Sequence, residues 1–166
     1  MMTMTEIPPA SRPIMPKDYG VPAALEGTLP WSWVDERLRK AQVYWLTTLH
    51  PAGRPHTMPI WMAWVDNTLL FGTDKTTRKA KNLALNPYVT VAVQAGTMEG
   101  GLAEAIIIEG KVTTTSDADL LRRMDDQYEE KYGQRDGWTE ASQVIASKIF
   151  ALAKFPESPT RWVFDR

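Results

Sequence analysis

The chain has 166 residues, a formal net charge of −1 and no cysteine. That length fits one domain whose core stands without staples, and the missing cysteine excludes disulfides, thiolate chemistry and cysteine-based zinc sites. A nearly balanced charge gives no global field for steering toward nucleic acid or an anionic membrane, so neither is expected as a partner and electrostatic work falls to local clusters.

No apolar run in the first thirty residues has the length of a secretion signal, and no later stretch approaches the roughly 20 apolar residues of a membrane span. A soluble cytoplasmic protein is the expectation. Seven Trp and eight Met suit a core and equally a planar ligand.

In chain order, residues 1–30 hold six of the twelve prolines, which excludes a regular helix or a paired central strand. They read as an extended arm, separate from a domain over 31–166. Its Ile7, Ile14, Met15, Tyr19, Val21 and Leu25 suit docking on a neighbour, and a mobile tail is the plain alternative. Ser32 is placed to open a helix, with Asp35 at the capping-box distance and Val34, Leu38 and Ala41 on one stripe.

From residue 43 the period changes to two. Strands are expected over 43–49 and 55–65, joined by the turn His50-Pro-Ala-Gly-Arg, and after the Asp66-Asn67 turn a third over 68–72. The next stretch, 73–82, reads Thr-Asp-Lys-Thr-Thr-Arg-Lys-Ala-Lys-Asn. Read as the start of a helix, it puts Lys75, Arg78 and Lys79 where the macrodipole disfavours cations, offset only by Asp74. An anion held by free first-turn amides, threonine hydroxyls and these cations removes the conflict; a solvated basic face is the other reading. Asn86-Pro87 ends that helix.

Further strands are expected over 88–94 and 103–115, flanking a Gly-rich loop over 95–101. Ser116 with Asp119 then caps a helix whose Leu120, Leu121, Met124 and Tyr128 recur at helical spacing up to Gly133. Residues 133–146 are ambiguous. Strands over 148–155 and 161–164 close the chain. Six or seven strands joined mostly as hairpins, with helices inserted, predict an α+β barrel rather than a parallel sheet.

Three blocks carry a family likeness: Tyr-Trp-Leu-Thr-Thr-Leu-His-Pro-Ala-Gly-Arg-Pro-His-Thr-Met-Pro-Ile-Trp over 44–61, Leu-Leu-Phe-Gly-Thr over 69–73, and Arg-Lys-Ala-Lys-Asn-Leu with Asn-Pro over 78–87. With this spacing the chain resembles the pyridoxamine 5'-phosphate oxidase-like flavin and deazaflavin oxidoreductases over about residues 31–115, and its Pro-Thr-Arg-Trp-Val-Phe ending resembles a subgroup of them. The resemblance implies an FMN-binding-type split β-barrel homodimer, with a flavin cofactor in a groove between subunits and its phosphate beside the Arg-Lys pair. The most similar branch is associated with the deazaflavin coenzyme F420, and sister branches with FMN or haem.

On that resemblance Thr73, Arg78 and Lys79 hold the phosphate of either flavin, Lys79 foremost, and the backbone of Met58, Pro59, Ile60 and Trp61 faces the ring system. Lys75 and Lys81 are available to the longer acidic tail of the deazaflavin. Asn82 either bonds cofactor or ties its helix to a neighbour. Pro59 breaks a ladder mid-strand, which implies an edge, a bulge or a ligand. Trp61 and Trp64, three apart on one strand, point to opposite faces, so one ring at most meets the cofactor; Trp61 is the choice. His56 stands either as a donor to flavin or substrate or as a hairpin-end residue, and His50 is given no role. Arg161 and Trp162 either close over a cofactor from the partner subunit or pack the chain end.

No HExxH motif, Walker loop, GxGxxG or serine nucleophile motif is present, which argues against a dedicated metal site and a Rossmann cofactor site. The expected function is an oxidoreductase moving hydride from reduced F420, or FMN, to an unsaturated small molecule, with no catalytic residue assigned. The rival is a non-catalytic carrier of flavin or haem on the same barrel.

Overall fold

A computed structural model describes residues 6–96 and 104–165. It has three α-helices, α1 (Trp31–Lys40), α2 (Arg78–Leu85) and α3 (Ala118–Tyr132), and eight strands. These are β1 (Tyr44–Leu49), β2 (Pro55–Ile60), β3 (Ala63–Val65), β4 (Thr68–Phe71), β5 (Tyr88–Gln94), β6 (Ala105–Thr115), β7 (Ala141–Leu152) and β8 (Thr160–Val163). All pair antiparallel in one sheet of order β2-β1-β5-β6-β7-β4-β3, and β8 shares the β7 edge with β4. β2 and β3 end opposite sides of that order yet are separated in sequence by only Trp61 and Met62, so the sheet is rolled. The result is an α+β half-barrel of split-barrel type with inserted helices.

Alternation along the strands builds the interior. On β1, Tyr44, Leu46 and Thr48 are buried while Trp45 and Leu49 are exposed, as a period of two requires. The barrel core joins these to Trp64, Val91, Ile106, Ile108, Ile149 and Trp162, with Val34 and Leu38 of α1 against it. A second cluster packs α3, through Leu120, Leu121, Met124 and Tyr128, on Ala63, Val65 and Leu70.

Several element ends differ from expectation. Helix α1 starts at Trp31 behind Pro30 and has no side-chain cap: proline already holds φ near the helical value, so Ser32 falls inside the helix. Asp35 instead accepts from Trp64 Nε1 at 2.9 Å. On α3 the cap is Asp117, which accepts from the amides of Asp119 and Leu120, so Ser116 lies one residue too early. β7 begins at Ala141, seven residues before the expected strand start, and takes the last six residues of the ambiguous stretch into sheet paired with both β6 and β4.

The expected strand over 55–65 is two strands. Trp61 and Met62 leave the sheet because α3 takes their backbone groups: Tyr128 Oη donates to the Trp61 carbonyl at 2.9 Å, Tyr132 Oη accepts from the Met62 amide at 3.3 Å, and Lys131 Nζ donates to the Met62 carbonyl. Asp66 and Asn67 both have positive φ, 49° and 60°, the left-handed pair that a two-residue hairpin turn needs.

The arm lies on its own chain. Ser11 bridges Arg161, and the Arg12 guanidinium donates to the carbonyls of Ala24, Glu26, Glu157 and Pro159. Ile7, Ala10 and Leu29 pack on the core, whereas Ile14, Tyr19 and Leu25 stay exposed. Most of the Gly-rich loop over 95–101 lies outside the described residues. Among the described residues no helix is long and apolar enough to cross a membrane.

Candidate functional site

The basic stretch is a loop followed by a helix. Helix α2 begins at Arg78, with Thr77 as its N-cap accepting from the Ala80 amide. Thr73 to Thr77 therefore precede the helix, and Lys75 sits in that loop rather than in the first turn as expected. The loop is fixed by its own side chains. Asp74 accepts from the amide and hydroxyl of Thr76, which with the nearby Lys79 charge hold its carboxyl below the usual range, and Thr77 Oγ1 lies 3.2 Å from Thr73 Oγ1. The amides of Arg78 and Lys79 have no intrahelical acceptor, as at any helix start.

One face of α2 turns to β1. Asn82 is fully buried and donates through Nδ2 to Thr48 Oγ1 at 2.9 Å, while its Oδ1 has no partner. Thr48 pairs with His56 across the hairpin and reaches the His56 carbonyl at 3.5 Å. The His56 Nδ1 is likewise buried without a partner. Two orphaned polar atoms on residues that flank one threonine are costly in a closed core.

The turn of the same hairpin carries a second histidine. His50 has its pKa lowered by loss of water contact first and then by the Arg54, Arg78 and His56 charges. His50 Nδ1 accepts from the Ala52 amide and so fixes the turn. Among the described residues, Lys75, Arg78, Lys79 and Lys81 make no ion pair. Unpaired cations, free first-turn amides and threonine hydroxyls make a site for an anion. Asn82 ties α2 to β1 from within the core, and it is the cations, first-turn amides and threonine hydroxyl at the helix start that fit a phosphate-bearing cofactor.

The family model described as "Pyridoxamine 5'-phosphate oxidase" matches residues 33–156, which contain this whole cluster. The chain belongs to the pyridoxamine 5'-phosphate oxidase family. A curated family relative, the pyridoxine/pyridoxamine 5'-phosphate oxidase of Bacteroides thetaiotaomicron, is 26% identical over 134 residues, covering 78% of this chain. The chain spans 59% of that relative's length. Among solved structures, a heme binding protein from Mycobacterium smegmatis superposes with a TM-score of 0.62 at 14% identity, over 78% of this chain and 57% of that one. An F420 reductase superposes with a TM-score of 0.50 at 20% identity, over 72% and 93%. At such identities these two establish a shared fold.

The other predicted residues of this pyridoxamine 5'-phosphate oxidase family member fall in three places. Pro59 sits on β2, whose outer edge has no strand partner among the described residues, so its missing N–H breaks no ladder there; Met58 beside it is exposed and Ile60 half-buried. Trp61 is off the strand altogether, so the opposite-faces argument for Trp61 and Trp64 does not apply. Its half-exposed ring stacks on Tyr132 at 4.4 Å and 4°, while Trp64 is buried in the barrel.

Arg161 and Trp162 lie away from the cluster, on β8, beyond the family match. Trp162 is 2% exposed and edge-on to Trp31 at 5.4 Å: its ring is core, sealed from any cofactor. Arg161 Nε donates to Ser11 Oγ. Lys75 and Lys81 line a groove that α2 shares with β6 and β7.

Sequence reasoning missed Thr48, Thr77 and Tyr132. A threonine just before a helical run was a readable cap signal for Thr77, and Tyr128 with Tyr132 form an i, i+4 aromatic pair on α3. Nothing local marks Thr48, whose role arises from a contact 34 positions away.

Proposed function

We propose that this protein is a flavin-type oxidoreductase that binds reduced F420, or FMN in its place, at the start of α2 and delivers hydride to an unsaturated small molecule. The observation that carries the reading is the conjunction at the start of α2: Arg78 and Lys79, without an ion-pair partner among the described residues, on a first turn whose amides have no intrahelical acceptor. A bound flavin or deazaflavin supplies the hydride chemistry.

The chain's own part is to bind and orient. Lys79 and Arg78 neutralise the phosphate and the Thr73 hydroxyl is offered to it, while Thr77, whose hydroxyl donates to the Asp74 carbonyl at 2.8 Å, holds the loop in place. His56 belongs to this anion end through its place beside Thr48, so we assign it to phosphate binding rather than to proton delivery. The segment from Met58 to Trp61 presents backbone to the ring system, and its exit from the sheet at Trp61 is fixed by Tyr128, Lys131 and Tyr132. Trp61, backed by Tyr132, supplies a flat apolar surface at that end.

A homodimer is part of the proposal, supported by the outward face of the sheet. One cross-strand row runs Pro59, Trp45, Ala92, Ile107, Phe150 and Arg161, and Trp45, Leu49, Tyr88 and Val163 are exposed on that side. Arg161 thus faces outward toward a partner.

Titration of the purified protein with FMN, riboflavin and F420, followed by absorbance and fluorescence, tests the reading. Lys79→Ala should weaken FMN by roughly 10- to 100-fold, the worth of a charge-assisted hydrogen bond of about 1.5–3 kcal/mol, and leave riboflavin nearly unchanged. Equal losses for both remove the phosphate assignment. Oxidation of bound reduced F420 by an added unsaturated acceptor supports the enzyme, and tight binding without turnover favours the carrier.

A further inference from the structure

Two segments leave the open end of the β3–β4 hairpin: Trp61 and Met62 before β3, and Gly72 with the anion loop after β4. The hairpin pairs Val65 with Thr68, Trp64 with Leu69 and Ala63 with Leu70. In an antiparallel pair every second couple exchanges hydrogen bonds, and the couple between turns its backbone groups outward. Trp64 is of the outward kind, since its amide and carbonyl bond the Gln127 side chain, and Met62, bonded to Tyr132 and Lys131, repeats it two residues away. Val65, Ala63 and then Trp61 therefore face the partner strand, and continued register sets Trp61 opposite Gly72. A ladder bond from the Gly72 amide to the Trp61 carbonyl is due there.

That bond is interrupted. The Tyr128 hydroxyl of α3 stands between the two groups, donating to the Trp61 carbonyl at 2.9 Å and accepting from the Gly72 amide. Two hydrogen bonds in series hold the backbones about 2 Å further apart than a single one. The Tyr128 ring is firmly seated for this. It is 3% exposed, edge-on to Trp61 at 6.4 Å and 85° and to Trp138 at 6.3 Å and 82°, and the Trp138 ring in turn presses on Gly72.

We propose that Tyr128 is a positioning residue that sets the span of the cofactor groove, its hydroxyl fixing how far the Trp61 segment stands from the Gly72 end of the anion loop. This rests on the reading given above, with phosphate at the start of α2 and the ring on residues 58–61. Tyr128 acts through the Trp61 and Gly72 backbone rather than by contact with the ligand. A ligand that engages one end alone is insensitive to the spacing, and a ligand that joins both ends depends on it.

Tyr128→Phe keeps the ring and removes the bridge. In fluorescence titrations it should bind FMN up to about tenfold more weakly, the worth of one hydrogen bond, and riboflavin, which lacks the phosphate, as wild type does. In that background Lys79→Ala should cost FMN less than in wild type, because the phosphate end is already displaced. A purely structural role would lower the melting temperature and weaken both ligands alike. A second measurement needs no loss of the hydroxyl: with fluorotyrosine at position 128, the fluorine resonance should move further on adding FMN than on adding riboflavin and inorganic phosphate together.

Unchanged FMN affinity in Tyr128→Phe, equal losses of FMN and riboflavin, additive effects of the two substitutions, or equal fluorine shifts from FMN and the separate pair overturn the spacing role. Lys79-dependent discrimination of FMN from riboflavin keeps the phosphate reading intact in each of those cases. Failure of wild type to prefer FMN over riboflavin overturns both.

Discussion

At position 72 there is room for a hydrogen atom and nothing more. A methyl group there would fall 2.0 Å from the Trp138 ring, so the loop connecting α3 to β7 presses directly on the residue from which the anion loop departs. Gly72→Ala should cost about 1–3 kcal/mol by overpacking, read as a lower urea midpoint with altered Trp138 fluorescence. The double change Gly72→Ala/Trp138→Ala should recover part of the loss of Gly72→Ala alone; full additivity of the two would show that the ring is not the obstacle.

Lys131 is the other residue whose surroundings set a measurable property. It is buried against Tyr44 and Tyr132, bonding the Tyr44 hydroxyl at 3.1 Å, and burial lowers its pKa from 10.5 to about 8. Between about pH 8 and 10.5 the folded amine is neutral while the unfolded chain's lysine keeps its proton, so the unfolded state binds more protons and stability rises with pH. Below that window the folded state carries the cost of a buried charge. Thermal melts of wild type and Lys131→Met should therefore show a difference that shifts in favour of wild type across the window; a constant difference sinks the assignment.

Among elements, α2 joins fold to function. Thr77 caps it and also touches Thr73, so Thr77→Ala should lower stability by about 1 kcal/mol and in the same variant weaken FMN binding. Retained FMN affinity would detach the cap from the site. The period-two runs and the α3 stripe were legible because burial imposes them on sequence at short range. The split at Trp61 was not legible, since it depends on Tyr128, Lys131 and Tyr132, more than sixty positions away. The same limit applies to the cluster: Lys79, Arg78 and Thr73 stand out as a local conflict between charge and helix dipole, whereas Thr48 is a threonine in a strand until α2 folds over it. Trp162 shows the converse, a ring beside an arginine at a chain end that long-range packing turns into core.

For the molecule as a whole, the outward sheet face is what a single chain leaves unfinished. Trp45 at its middle is 47% exposed between Pro59 and Ala92. Placing a charge there opposes burial against a second copy without touching the barrel interior. On the proposed homodimer, wild type should sediment or scatter as a dimer and Trp45→Glu as a monomer, at unchanged circular dichroism; a monomeric wild type removes the dimer, and a variant that remains dimeric moves the interface elsewhere.

The rolled sheet meets itself at Trp61 and Met62. Ile60 and Ala63 are three Cα steps apart, no more than about 11 Å, so a two-residue tether holds together two strand edges that share no hydrogen bonds with each other. A barrel closed by a tether behaves like a clasp. A permuted chain opened between Trp61 and Met62, with the old termini joined, would keep every β-ladder yet free the two margins to part, converting the closure from a covalent matter into one decided by the grip of α3.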